Sequence, residues 1–256
     1  MGATGKFTWY ELLTTDTSAA ADFYAKVIGW KPVSQASADD SMHYTVFNTA
    51  EGGVAGLMTI PPDAAGMPPT WAGYVSVDDV DAYAKKFEAA GGAIRRPPDD
   101  IPGVGRFAVV ADPQGAGLCL FKPASGYQSA PPDLDGPGYP SWRELMTNDG
   151  PTAVDFYMGM FGWEKSTGHD MGPMGVYQLL AYDGEDRMGI MTKPAELPVS
   201  MWSFVFRVDG IGAAGERVKA AGGTVLRGPM QVPGGSWVLQ VQDPQGAFFS
   251  LQSLTA

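Results

Sequence analysis

The chain has 256 residues, 45% of them hydrophobic, with 17 Lys or Arg against 28 Asp or Glu and a formal net charge of −11. That surplus of acid disfavours nucleic acid and an anionic membrane surface, both of which need a basic face. A single cysteine, Cys119, rules out an internal disulfide and suits a reducing, cytoplasmic setting. No apolar run approaches the length of a membrane span, and no basic-then-apolar leader pattern opens the chain.

In chain order, the pattern predicts an apolar strand over Phe7–Thr14 and a helix over Ser18–Ile28, with Asp16 placed to serve the helix start. Two strand-like runs follow, YTVFN (44–48) and GVAGLMTI (53–60). The scheme then restarts with a strand, WAGYVSV (71–77), and a helix over Val80–Ala90 stopped by Gly91-Gly92. Strand-like AIRR, RFAVV and GLCLF complete it. This reads as βαβββ twice.

The second half says the same again. WYELLTTD (9–16) returns as WRELMTND (142–149), ADFYAKVIGW (21–30) as VDFYMGMFGW (154–163), GLMT (56–59) as GIMT (189–192), and DPQGA (112–116) recurs at 243–247. WSFVFRV (202–208) and a helix over Ile211–Ala221, again stopped by Gly-Gly, match the second module. A Pro- and Gly-rich stretch without apolar period, PASGYQSAPPDLDGPGYP (123–140), falls between the copies. The expected organisation is a first domain over 1–123, a linker over 124–138 and a second domain over 139–256.

The sequence of a first strand, an Asp-led FY helix ending in GW, a strand ending VDDVD, a Gly-Gly stop and D-P-Q-G resembles the vicinal oxygen chelate superfamily, which holds glyoxalases, bleomycin-resistance proteins and extradiol dioxygenases. The likeness covers nearly the whole chain, twice, and is nearest the two-domain branch with W-x-[DE]-L openings. It implies an α+β fold of tandem glyoxalase-like domains, four βαβββ modules making two cup-shaped half-barrels. It also implies a divalent metal held by a His, Gln or Glu on first strands and a Glu on a last strand. At the matching positions this chain carries Trp9 and Trp142, Cys119 and Ser250, and either Ala72 or Trp71 and either Ser203 or Trp202. None is a good ligand for a hard cation, so no metal and no cofactor is expected.

Glu11 and Glu144 are then the sharpest candidates for catalysis. Strand side chains alternate faces, so each carboxylate shares a face with Trp9 or Trp142. Burial against an indole raises a carboxyl pKa and suits a general base or acid. The plainer reading is a structural Glu bonded to backbone or water. Trp9 and Trp142 either stack on a flat ligand or fill the space of a lost metal. Met58 and Met191, matched between halves, offer adaptable apolar lining. Tyr74 offers a hydroxyl or packs in the core, and Cys119 and Ser250 line the cups as small residues. His169, in STGHDMGPMG, reads as part of a loop. Three functions follow. One is a metal-independent isomerase or lyase acting on a small carbonyl or aromatic compound. The second is a non-catalytic small-molecule binding or sequestering protein of the resistance type. The third is a glyoxalase-like metal enzyme with unusual ligands such as Glu11 and Glu144. The expected partner is a small molecule, with neither nucleic acid nor membrane, for a monomer or homodimer.

Overall fold

The computed structural model describes residues 4–36, 43–125 and 136–256, and most of the expected linker lies outside the described residues. The first half contributes β1 (Phe7–Thr14), α1 (Thr17–Val27), β2 (Lys31–Ala36), β3 (His43–Thr49), β4 (Gly52–Thr59), β5 (Thr70–Ser76), α2 (Val80–Ala89), β6 (Ala93–Ile101), β7 (Gly105–Ala111) and β8 (Gly117–Pro123). The second contributes β9 (Pro140–Thr147), α3 (Gly150–Phe161), β10 (Glu164–Asp170), β11 (Val176–Tyr182), β12 (Glu185–Thr192), β13 (Met201–Arg207), α4 (Ile211–Ala220), β14 (Thr224–Gln231), β15 (Trp237–Gln242) and β16 (Phe248–Ser253). Each half forms one open eight-stranded sheet, in the order β2-β3-β4-β1-β5-β8-β7-β6 and β10-β11-β12-β9-β13-β16-β15-β14. The fold is therefore α+β, with two βαβββ modules in each half, as the resemblance implies.

Local chemistry accounts for the elements. Asp16, Asp79 and Asp149 each accept a backbone N–H three residues on, capping α1, α2 and α3. In β1, Tyr10, Leu12 and Thr14 on one face are buried, whereas Trp9 and Leu13 on the other are only half-buried. β2 and β10 are strands that apolar patterning does not announce. Both lie at sheet edges and are largely exposed, so nothing selects alternation in them. His169 accordingly sits in β10 rather than in a loop.

The sheets follow the sequence halves, but the compact packing units do not: each unit is built from one module of each half. One unit holds residues 73–125 with 142–203 and the N-terminal 4–8. In it the Trp202 indole donates to the Tyr157 hydroxyl (3.0 Å), which donates to the Asp112 carboxylate (3.0 Å). Asp112 also accepts the backbone N–H groups of Gln114 and Ala116. The Gln114 amide brackets the backbone of Asp149, accepting its N–H (2.6 Å) and donating to its carbonyl (2.8 Å). Tyr157 stacks on Trp163, whose indole donates to the Gly5 carbonyl (2.7 Å).

The other unit holds residues 9–72, as far as described, with 136–141 and 204–256. Here Trp71 donates to Tyr24 (2.9 Å) and Tyr24 to Asp243 (3.1 Å). Gln245 brackets Asp16 as Gln114 brackets Asp149, and it also accepts from the Thr15 hydroxyl. Tyr24 stacks on Trp30, which donates to the Gly138 carbonyl (2.7 Å). The D-P-Q-G motifs are thus packing devices. Burial pushes both aspartate carboxyls up, and the backbone donors pull them back. Replacing Asp112 or Asp243 by Ala strands a buried tyrosine hydroxyl and two backbone N–H groups. Each substitution should lower stability by about 2–3 kcal/mol in urea denaturation, with a larger loss than Gln114→Ala or Gln245→Ala at the exposed brackets.

Candidate functional site

The site is clearest in the second half. In β9, Arg143, Leu145 and Thr147 are buried on one face, which turns Trp142, Glu144 and Met146 to the other. β12 runs parallel beside it, with Gly189 opposite Glu144 and Met191 opposite Met146. β11 follows, with Leu179 opposite Gly189. Tyr177 of β11 reaches back over β12. Its hydroxyl accepts the Trp142 indole N–H at 2.8 Å and hydrogen-bonds the Glu144 carboxylate as donor. An indole, a phenol and a carboxyl from two strands are tied together over a glycine that separates them.

Electrostatics follow from that geometry. Glu144 is half-buried by exposed area, yet desolvation is still the largest influence on its carboxyl and raises it above the ordinary carboxylate range. The Tyr177 hydroxyl pulls the other way. Burial, and then the Glu144 charge, push the Tyr177 phenol well above its usual value, so it remains a hydrogen donor.

The first half repeats the indole–phenol pair over a glycine. Trp9 of β1 donates to the Tyr44 hydroxyl at 2.9 Å, Gly56 of β4 lies opposite Glu11, and Met58 lies opposite Leu13. Glu11 is buried, with 6% of its surface exposed. The other expected lining residues sit on other strands. Tyr74 of β5 and Cys119 of β8 are paired in register and buried, with Tyr74 edge-on to Phe121. Ser250 of β16 is buried opposite Val205 and Gln240. Trp71 and Trp202 turn to the core to meet Tyr24 and Tyr157, so Ala72 and Ser203 occupy the opposite face of their strands.

The positions where the resemblance places metal ligands do not suit a cation. The indoles of Trp9 and Trp142 present N–H donors already committed to phenols, and the remaining positions offer a thiol, a hydroxyl and a methyl. Among the described residues, no three His, Cys, Asp or Glu side chains gather where they could hold a metal ion. The tyrosines are the site residues that single-residue reasoning misses. The signal was present: Tyr44 and Tyr177 stand the same distance behind Trp9 and Trp142, in runs that otherwise diverge (HYTVFNT against VYQLLAY).

Fold and site together define a tandem-domain protein of the vicinal oxygen chelate type. The chain belongs to the Glyoxalase/Bleomycin resistance protein/Dioxygenase superfamily, whose model matches residues 6–120 and 141–251. Among curated proteins it is 33% identical to CFP32 of Mycobacterium tuberculosis, whose name is that of an inferred glyoxylase, over 95% of this chain and 92% of that one. It is 31% identical to the anthracycline biosynthesis protein DnrV of Streptomyces peucetius, over 98% and 94%. Among solved structures it is similar to the Mn(II)-bound glyoxalase of Novosphingobium aromaticivorans, with a TM-score of 0.69 and 20% identity over 100% of this chain and 84% of that one. A homoprotocatechuate 2,3-dioxygenase from B. fuscum shares the fold at a TM-score of 0.67 and 16% identity, over 99% and 72%.

The raised Glu144 carboxyl makes a signed prediction. The folded state binds this proton more tightly than the unfolded chain, so the group's contribution to stability falls as pH rises from the unfolded value through the folded one. Glu144→Gln removes that dependence. Relative to wild type, the variant should gain stability at near-neutral pH, and the gain should shrink on acidification below the ordinary carboxylate range, as read by urea denaturation at a series of pH values. A gap that stays constant with pH contradicts the assignment.

Proposed function

We propose that the chain is a metal-independent member of its superfamily that acts on a small, flat carbonyl or hydroxylated aromatic compound through proton transfer. The supporting observation is the Trp142–Tyr177–Glu144 chain of the second half, together with the matching Trp9–Tyr44 pair of the first half, where Glu11 stands two residues past Trp9 on the same strand face. The half-buried Trp142 indole offers an apolar shelf for an aromatic ring, backed by the paired, buried Met146 and Met191. The Glu144 carboxylate takes a proton from carbon beside a carbonyl. The Tyr177 hydroxyl holds the carboxyl in place throughout, and the proton returns at a different atom, giving an isomerisation or preparing an elimination. The substrate class fits the anthracycline role in the name of one relative, since anthracyclines are flat, oxygenated and polycyclic.

A second reading keeps the ligand and drops the turnover. The Trp and Met lining supports it equally, and the chain then sequesters its ligand. The two separate by experiment. 1,8-Dihydroxyanthraquinone, a flat aromatic with both carbonyl and hydroxyl oxygens, should raise the melting temperature of the wild-type chain and quench tryptophan fluorescence. Both effects should weaken in Trp142→Leu and Trp9→Leu. An unmoved melting temperature and unquenched fluorescence count against both readings. With a turned-over substrate in hand, Glu144→Gln or Glu11→Gln should lower kcat by about 10²–10⁴-fold. Binding with no turnover by the wild type selects sequestration.

A further inference from the structure

We propose that Gly56 and Gly189 are positioning residues whose missing side chains let the tyrosine hydroxyl reach the indole across the strand and, in the second half, set it between the Trp142 indole and the Glu144 carboxylate. For its functional consequence this rests on the ligand-face reading above. Three observations carry it.

Neither glycine lies in the left-handed region, so the backbone at both positions would accept alanine. The requirement is therefore one of space. A Cβ on Gly56 would stand 2.6 Å from the hydroxyl-bearing carbon of Tyr44 and 3.0 Å from the Trp9 indole nitrogen, and a Cβ on Gly189 would overlap the Tyr177 ring. Real Cβ atoms essentially never come so close to a ring carbon.

The register shows what the space is used for. Gly56 lies directly opposite Glu11, and Gly189 opposite Glu144. The tyrosine starts on the strand beyond and must cross the glycine strand to reach the strand that carries the indole and the carboxylate, a span of about two strand spacings, or roughly 10 Å. Any side chain at the glycine lifts the ring off the sheet. The indole–phenol bond breaks, and in the second half the Tyr177 hydroxyl also leaves the Glu144 carboxylate and water reaches that carboxyl. The same clearance occurs in both copies, although the tyrosine strands have otherwise diverged.

The test is a double-substitution cycle in the full chain: wild type, Gly189→Ala, Tyr177→Ala and the pair. Alanine at 189 should lower the melting temperature by about 5 °C, the scale of an overpacked site. In the Tyr177→Ala background, where the ring is gone, it should leave the temperature unchanged or raise it. A loss of equal size in both backgrounds, or no loss in either, overturns the proposal, because the glycine would then serve the backbone or nothing. The second readout is affinity for 1,8-dihydroxyanthraquinone. The paired variant should fold as well as Tyr177→Ala yet bind the probe at least about 10-fold more weakly than wild type, the ratio for one lost hydrogen-bonded contact. Wild-type affinity in the paired variant overturns the functional half of the proposal. Failure of the wild type to bind the probe sinks the ligand-face reading, while the melting cycle still decides whether the glycines position the tyrosines.

Discussion

In each compact unit an aspartate carboxylate accepts a hydrogen bond from a buried tyrosine hydroxyl, which in turn accepts one from the N–H of a buried tryptophan: Trp71, Tyr24 and Asp243 in one, Trp202, Tyr157 and Asp112 in the other. The glutamine two residues past each aspartate closes on the backbone at the start of a helix. A buried phenol and a buried carboxylate are each expensive alone, and joined they have few alternative partners. The pairing therefore specifies which helix meets which turn. Because tyrosine and aspartate come from different halves of the sequence, the interaction commits each unit to one module from each half. It also fixes the strand faces, since an indole turned to the core in β5 or β13 leaves its neighbours in the strand to face the other way.

The tryptophans show how the chain divides structure from site. Six of the seven form matched pairs, and each donates its N–H to a specific acceptor. Trp71 and Trp202 meet core phenols, Trp30 and Trp163 meet the backbone carbonyls of Gly138 and Gly5, and Trp9 and Trp142 meet the phenols beside Glu11 and Glu144. The first two pairs are buried. Of the six, only Trp9 and Trp142 are half-buried, and each stands two residues before a glutamate on the same strand face.

Much of this was legible in the sequence. Duplication, module order and the caps of the first helix in each half follow from repeated words and from Asp16 and its repeat Asp149, because caps and apolar faces are local chemistry. The shared face of Trp9 and Glu11 follows from alternation. β2 and β10 were not legible, since exposed edge strands carry no period. The partners of D-P-Q-G were not legible either: nothing local in DPQG tells that its aspartate waits for a tyrosine in the other half. Tyr44 and Tyr177 hid for a related reason. Their role depends on a glycine one strand away, and an absent side chain is read as a turn or a bend until the register is known.

The central claim, that each unit needs modules from both halves, is tested most directly by cutting the chain between residues 125 and 136 and expressing the halves apart and together. The account predicts that neither half alone melts cooperatively as a monomer, because Tyr24 and Tyr157 lose their aspartates, and that the two co-expressed halves form a one-to-one complex that melts near the temperature of the intact chain. Two separately expressed halves that each melt cooperatively as stable monomers would contradict it.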